Sequence, residues 1–189
     1  KRKLIKSMKI RMRSDVPVAF CLSGGIDSAS LVSISCKELG INTKTFSIID
    51  SDPRYNEYEN IMETVKDTGC DNQMIKLNDI DFFDHLRTLI KYHSSPISTI
   101  SYFVHSLISR EASLQGYKVI ISGTGADEIF TGYYDHYLYH LSSLSNKKSY
   151  DQNLKFWEKN VKKIIRNPIL REPSSFSNKL LYEKNIAKH

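Results

Sequence analysis

Ser23-Gly24-Gly25-Ile26-Asp27-Ser28 follows a continuous apolar run, Val18-Ala19-Phe20-Cys21-Leu22, and precedes a helix-patterned segment, Ala29 to Leu39. Strand, glycine turn, helix is an order that binds phosphate. Two adjacent glycines permit positive φ and let backbone N–H groups approach an anion with no Cβ in the way. The following helix aims the positive end of its dipole at the same point. Ser23 and Ser28 add hydroxyl donors. Asp27 cannot donate and repels a bare phosphate, so an acid inside an anion cradle calls for Mg²⁺ between carboxylate and phosphate oxygens. A serine and glycine cluster on its own also marks a plain turn. The chain contains neither G-x-G-x-x-G nor G-x-x-x-x-G-K-[ST], the commoner nucleotide fingerprints.

Working outward, a strand apolar at every position is expected of a parallel sheet covered on both faces, with ligands at its carboxyl edge. Upstream, Lys1 to Arg13 sets Leu4, Ile5, Met8 and Met12 on one helical face, and Asp15 and Pro17 end it. Downstream, the helix after the motif stops at Gly40, and Thr43 to Ile49 reads as a second strand. A loop over Asp50 to Asn56 leads to a helix, Glu57 to Thr68, that stops at Gly69. Asn72 to Leu77 is a short third strand. Asn78 is expected to cap a helix bearing Phe82, Phe83, Leu86, Leu89 and Ile90, broken by Ser94-Ser95-Pro96. Tyr102 to Leu114 is helical up to Gly116, and Lys118 to Ser122 supplies a fourth strand. Strands alternating with helices imply βαβ units, hence an α/β fold with a doubly wound parallel sheet. Beyond Tyr133 a helical tail runs past Trp157, through a loop with Pro168 and Pro173, to a last helix near Asn178 to Ala187. The expected division is a nucleotide-binding core over 1–140 and a helical C-terminal extension over 141–189.

The 189 residues suit one domain, and 40% hydrophobic with 25% charged residues is the balance of a globular protein. No apolar run reaches the length of a membrane span, so no membrane partner is expected. The chain begins at Lys1 rather than Met and reads as a fragment of something larger. Cys21, Cys36 and Cys70 are odd in number and lack C-x-x-C spacing, against a zinc knuckle or a disulfide framework and in keeping with a reducing cytoplasm. Cys21 reads as a small core residue rather than a nucleophile. The net charge of +6 is uneven. Residues 1–13 carry seven basic and no acidic side chains, and 147–189 carry eleven basic against four acidic, leaving 14–146 at −8. Chemistry placed in the acidic middle argues against a nucleic-acid partner.

A second strand, glycine turn, helix transition follows the fourth strand: Ser122-Gly123-Thr124-Gly125-Ala126-Asp127-Glu128-Ile129-Phe130-Thr131-Gly132-Tyr133. In a parallel sheet both loops lie at one edge, so Asp27 and Asp127 are expected to face one magnesium-bound polyphosphate from two sides. Asp127 and Glu128 are also favourable first-turn acids on any helix.

The first motif resembles the S-G-G-x-D-S signature of the PP-loop ATP pyrophosphatases, with their adenine nucleotide alpha hydrolase-like fold. The pair of motifs, with Ser14 to Pro17 as leader, resembles the synthetase domain of glutamine-dependent asparagine synthetases over roughly residues 4 to 140. The resemblance implies an ATP-dependent carbon–nitrogen ligase: MgATP adenylates a carboxylate, pyrophosphate leaves, and ammonia attacks to give an amide. Asparagine or an amidated sugar acid are the candidate products. Carried over, Ser23, Gly24, Gly25, Asp27 and Ser28 match the pyrophosphate loop, and Leu22 and Ile48 match positions whose backbone holds adenine. Ser122 and Gly123 match residues near the α-phosphate and ribose, and Asp127 matches the second metal-facing carboxylate. Thr124 is the departure: it stands where asparagine synthetases commonly place a glutamate that faces the acceptor substrate, in S-G-E-G-S-D-E, and it lacks that charge. The family draws ammonia from an N-terminal glutaminase domain, to which nothing here corresponds, so such a domain or subunit is expected in the parent protein and the isolated piece is expected to be incapable of turnover alone. Lys179 and Lys184 are candidates for its phosphate-contacting lysine. A PP-loop tRNA-modifying enzyme and a non-catalytic nucleotide-binding relic are the alternatives.

Overall fold

A computed structural model of the chain describes residues 1–77 and 80–173. These residues form two compact units, one over Lys1–Thr124 and one beginning at Gly125.

The first unit is built on four parallel strands, β1 (Val18–Cys21), β2 (Lys44–Ile49), β3 (Asp71–Lys76) and β4 (Val119–Ile121), in the order β3-β2-β1-β4. Alternation along the strands sorts their side chains onto two faces. Phe20 and Leu22 join Met8, Val32 and Ile61 on one face, where α1 (Arg2–Arg11), α2 (Ile26–Ser33) and α3 (Tyr58–Thr68) pack. Ala19 and Phe46 join Ile108 and Ala112 on the other, beneath α5 (Ile100–Leu114). Leu89 of α4 (Phe82–His93) packs there with Phe103 and Leu107. Phe20 and Phe46 are almost wholly buried, each stabilising the fold by about 1.5–3 kcal/mol.

The topology follows from crossover hand. The chain steps β1 to β2 to β3 in one direction with helices on one face, then returns past β1 to β4 with helices on the other. Right-handed crossovers require that a reversal of direction be a reversal of face. The sheet is therefore doubly wound, and its switch point lies between β1 and β4.

Local chemistry sets the ends. Gly40, Gly69 and Gly116, each expected to stop a helix, have φ of 67°, 68° and 84°. Beyond Ser33, α2 widens into one π-helical turn, Ile34–Glu38, whose buried Ser35 shares a 2.7 Å hydrogen bond with Thr43 at the entry to β2. Asn78, expected to cap α4, lies outside the described residues. The cap is Asp81, whose carboxylate accepts from the Asp84 amide at 2.9 Å. The helix expected near Asn178 to Ala187 also lies outside the described residues, with Lys179 and Lys184.

The second unit is helical: α6 (Ala126–Phe130), α7 (Tyr134–Ser143), α8 (Tyr150–Asn160) and a 3₁₀ turn over Pro168–Arg171. Leu138 and Leu141 of α7 are buried with Trp157, Val161 and Ile165. That packing belongs to the unit that begins at Gly125. Among the described residues no helix is long and apolar enough to cross a membrane.

Candidate functional site

At the carboxyl ends of β1, β2 and β4 the first unit opens into a cleft of about 650 Å³. Its floor is the glycine loop. α2 begins inside the motif, at Ile26, after an extended Gly25 (φ −81°, ψ 151°), with no side-chain cap on its first turn. Uncapped amides at a helix start, facing a cleft, are an anion-binding arrangement. The loop is held by Ser28, which is 5% exposed. Its Oγ accepts from the Ser23 amide at 3.1 Å and lies 2.9 Å from Ser23 Oγ and 3.1 Å from the Ser23 carbonyl. Ser28 is thus committed to the loop's shape, whereas Ser23 is exposed.

The second motif meets the first at this point. Gly123 lies so close to the start of α2 that a Cβ on it would stand 3.0 Å from Asp27 Cβ and 3.0 Å from the Ser28 amide nitrogen. Ser122 Oγ donates to Thr124 Oγ1 at 2.9 Å, which turns the Thr124 hydroxyl inward along its own loop. Leu22, Ser23, Gly25, Asp27, Ser28, Ile48, Ser122, Gly123 and Thr124 all line the cleft. Gly24 is not among the lining residues, but its amide donates at 2.9 Å to the Oε2 of Glu57, which does line the cleft. Asp127 belongs to the second unit, in α6, where its carbonyl accepts from the Gly132 amide and a Cβ at Gly132 would fall on its carboxylate.

The cleft is chemically graded. Leu22, Ile48, Leu77, Ile100, Val104 and Ile108 make an apolar wall, and Asp27, Asp50 and Glu57 bring three carboxylates. Among the described lining residues none is Lys or Arg. These carboxylates are hard oxygen donors, the type Mg²⁺ takes one or two of when phosphate supplies other ligands. No group of three or more such residues is gathered to hold a metal unaided, among the described residues. The donor set therefore fits a cation that arrives with a polyphosphate.

Asp50, Tyr55, Glu57 and His105 were not singled out in the sequence. The first three lie on the loop after β2 and at the start of α3, where the carboxyl-edge rule alone would have directed attention. His105 gives no such signal, because α5 reads as an ordinary core helix. It also borders a larger groove, about 930 Å³, between α4 and α5, which contains no residue of either glycine motif.

Burial pushes the Cys21 thiol, in the cleft wall, up to about 11 from its ordinary 9.0. A thiol this hard to ionise is a poor nucleophile at neutral pH. Native protein treated with iodoacetamide at pH 8 is expected to leave the Cys21 peptide unlabelled by mass spectrometry, and urea to expose it. Because the folded state resists ionisation, this group's contribution to stability is complete below pH 9 and is lost as pH rises from about 9 to about 11. A urea midpoint that falls across that window less steeply in Cys21→Ala would register it.

The family model described as Asparagine synthase matches residues 1–187. The chain is 33% identical over 127 residues to asparagine synthetase [glutamine-hydrolyzing] 1 of Bacillus subtilis, covering 67% of this chain and 20% of that protein. It is 27% identical over 147 residues to amidase chyE of Penicillium rubens, covering 70% and 22%. The chain thus spans about a fifth of the length of these curated relatives. Among solved structures, an NH3-dependent NAD synthetase from Campylobacter jejuni aligns with TM-score 0.49 and 19% identity, over 97% of this chain and 93% of that one.

Proposed function

We propose, from the premise that this chain belongs to the asparagine synthase family, that its cleft binds MgATP and serves an amide-forming ligase. The observation that carries this reading is the contact of Gly123 with Asp27 and Ser28, which brings two glycine loops a hundred residues apart to one cleft. A cleft of about 650 Å³ is within the usual range for small-ligand sites. The apolar wall suits a purine, and the amides at the start of α2 suit the β- and γ-phosphates.

Magnesium, when bound, would neutralise charge on the pyrophosphate. Asp27 would hold it from the first loop. Ser28 holds the loop's shape beside the start of α2, whose uncapped amides would face the charge that moves onto the leaving group. In the reaction proposed, a carboxylate oxygen attacks the α-phosphorus, the bond to the bridging oxygen breaks, and pyrophosphate departs with that electron pair. Ammonia then attacks the acyl carbon, AMP leaves, and a proton is released. Binding both reactants in the cleft supplies the proximity.

The acceptor we propose is a carboxylate other than aspartate, because the Thr124 hydroxyl is engaged by Ser122 and brings no charge to the wall. Ammonia would come from a glutaminase domain of the parent protein or a partner subunit. Pyrophosphate–ATP isotope exchange, run over aspartate, glutamate and uronic acids, tests this directly. Magnesium-dependent exchange with a uronic acid but not with aspartate is the expected result. Exchange with aspartate overturns the acceptor assignment, and absence of magnesium-dependent ATP binding overturns the site.

A further inference from the structure

Glu57 occupies the residue before α3, where a side chain ordinarily turns inward to accept from the first-turn amides of its own helix. It does not do so. The Tyr58 amide is taken instead by Asn56 Oδ1 at 2.9 Å, and the Glu57 carboxylate reaches across to Gly24, thirty-three residues away in sequence. The contact is a charge-assisted bond at 2.9 Å between a carboxylate and a glycine-loop amide. It is built for closeness: a Cβ at Gly24 would stand 2.8 Å from Glu57 Cβ and 3.0 Å from Asn60 Cβ, so only glycine lets α3 approach this far.

The neighbouring amides are satisfied differently. Ser23 and Gly25 donate to the hydroxyls of Ser28 and Ser23. A hydroxyl shares a site with a phosphate, because it also donates and carries no charge. A carboxylate shares nothing with a phosphate, since both are anions in need of the same proton.

We propose that Glu57 is a resident anion of the glycine loop, an internal competitor that the pyrophosphate portion of a nucleotide must displace from Gly24. This rests on the nucleotide reading above and adds to it a residue that sets affinity from outside the two glycine motifs. Glu57 holds the loop in a phosphate-ready shape between turnovers and weakens retention of free pyrophosphate, the product that must leave. Asp27 and Asp50 on the same cleft wall carry the same sign and reinforce the effect.

Titration of the chain with inorganic pyrophosphate and with MgATP, followed by calorimetry, separates this from a merely structural latch. Glu57→Ala is expected to bind pyrophosphate roughly three- to tenfold more tightly than wild type, the value of one hydrogen bond at an exposed position. Glu57→Gln keeps an acceptor without the charge, so a smaller gain is expected. The gap between wild type and Glu57→Ala narrows in high salt, where charge repulsion is screened. A latch predicts the reverse: affinity falls with the loss of Glu57, or does not change, and either result overturns the inference while leaving the site intact. If neither wild type nor variants bind either probe, the nucleotide reading falls and this falls with it.

Discussion

Asp27→Asn is expected to weaken MgATP binding by roughly 30- to 1,000-fold, the equivalent of about 2–4 kcal/mol for removing one partner of a close charge pair. Binding of ATP in excess EDTA is expected to stay the same or tighten. The opposed signs are the useful part. Asp27 is half-buried in a cleft that also presents Asp50 and Glu57 and, among the described lining residues, no Lys or Arg. Toward a bare triphosphate its charge only repels. Toward a magnesium-bound one it is a ligand, and asparagine loses that charge while keeping the size. Calorimetry with and without magnesium reads both signs. A far-UV spectrum and melting temperature matching wild type show that the loop has kept its shape, because Asp27 takes no part in the Ser23–Ser28 network that holds it. Equal losses with and without magnesium would point to a packing role instead, and no loss in either would remove Asp27 from the site.

Much of this site is legible in the sequence because the residues that make it are under constraints that chemistry cannot relax. A run of five apolar residues, Val18 to Leu22, has to be covered on both faces, which settles a parallel sheet. Gly40, Gly69 and Gly116 mark chain reversals that a Cβ would strain. What stayed hidden is of another kind. Leu138 and Leu141 have the spacing of a buried helical face, and spacing names no partner; only the packing against Trp157 assigns them to the second unit. Phe82 and Phe83 are apolar residues of α4 that stay 42% and 69% exposed, which helical spacing does not reveal. Glu57 is a conventional helix-start acid by composition, and its reach to Gly24 depends on the distance between two elements that no local pattern encodes. The cap of α4 is Asp81, three residues beyond the expected Asn78, and both residue types make good caps.

The convergence of the two loops yields the second large effect, since Gly123→Val tests it by volume alone. The Cβ added there meets the Ser28 amide nitrogen and Asp27 Cβ at 3.0 Å and the Asp27 carbonyl carbon at 3.3 Å. Two of these three atoms are backbone in the loop and first turn of α2, which Ser28 and the sheet fix, so they cannot rotate away as a side chain would. Valine adds two methyl groups to the same place. Overpacking of this kind costs about 1–3 kcal/mol, roughly 3–10 °C in melting temperature for a chain of this size. The nucleotide effect is expected to be larger than the stability effect, with MgATP affinity falling more than tenfold, because the displaced atoms are the ones that would face phosphate. Gly40→Ala supplies the contrast. Its φ is 67° and nothing lies within 4 Å of its Cβ, so the cost is backbone strain of about 1–2 kcal/mol with no steric route to the cleft. Comparable destabilisation in both variants, with MgATP affinity lost only in Gly123→Val, attributes the loss to the junction of the loops. Equal affinity in both would mean that the two glycine turns touch without sharing a ligand.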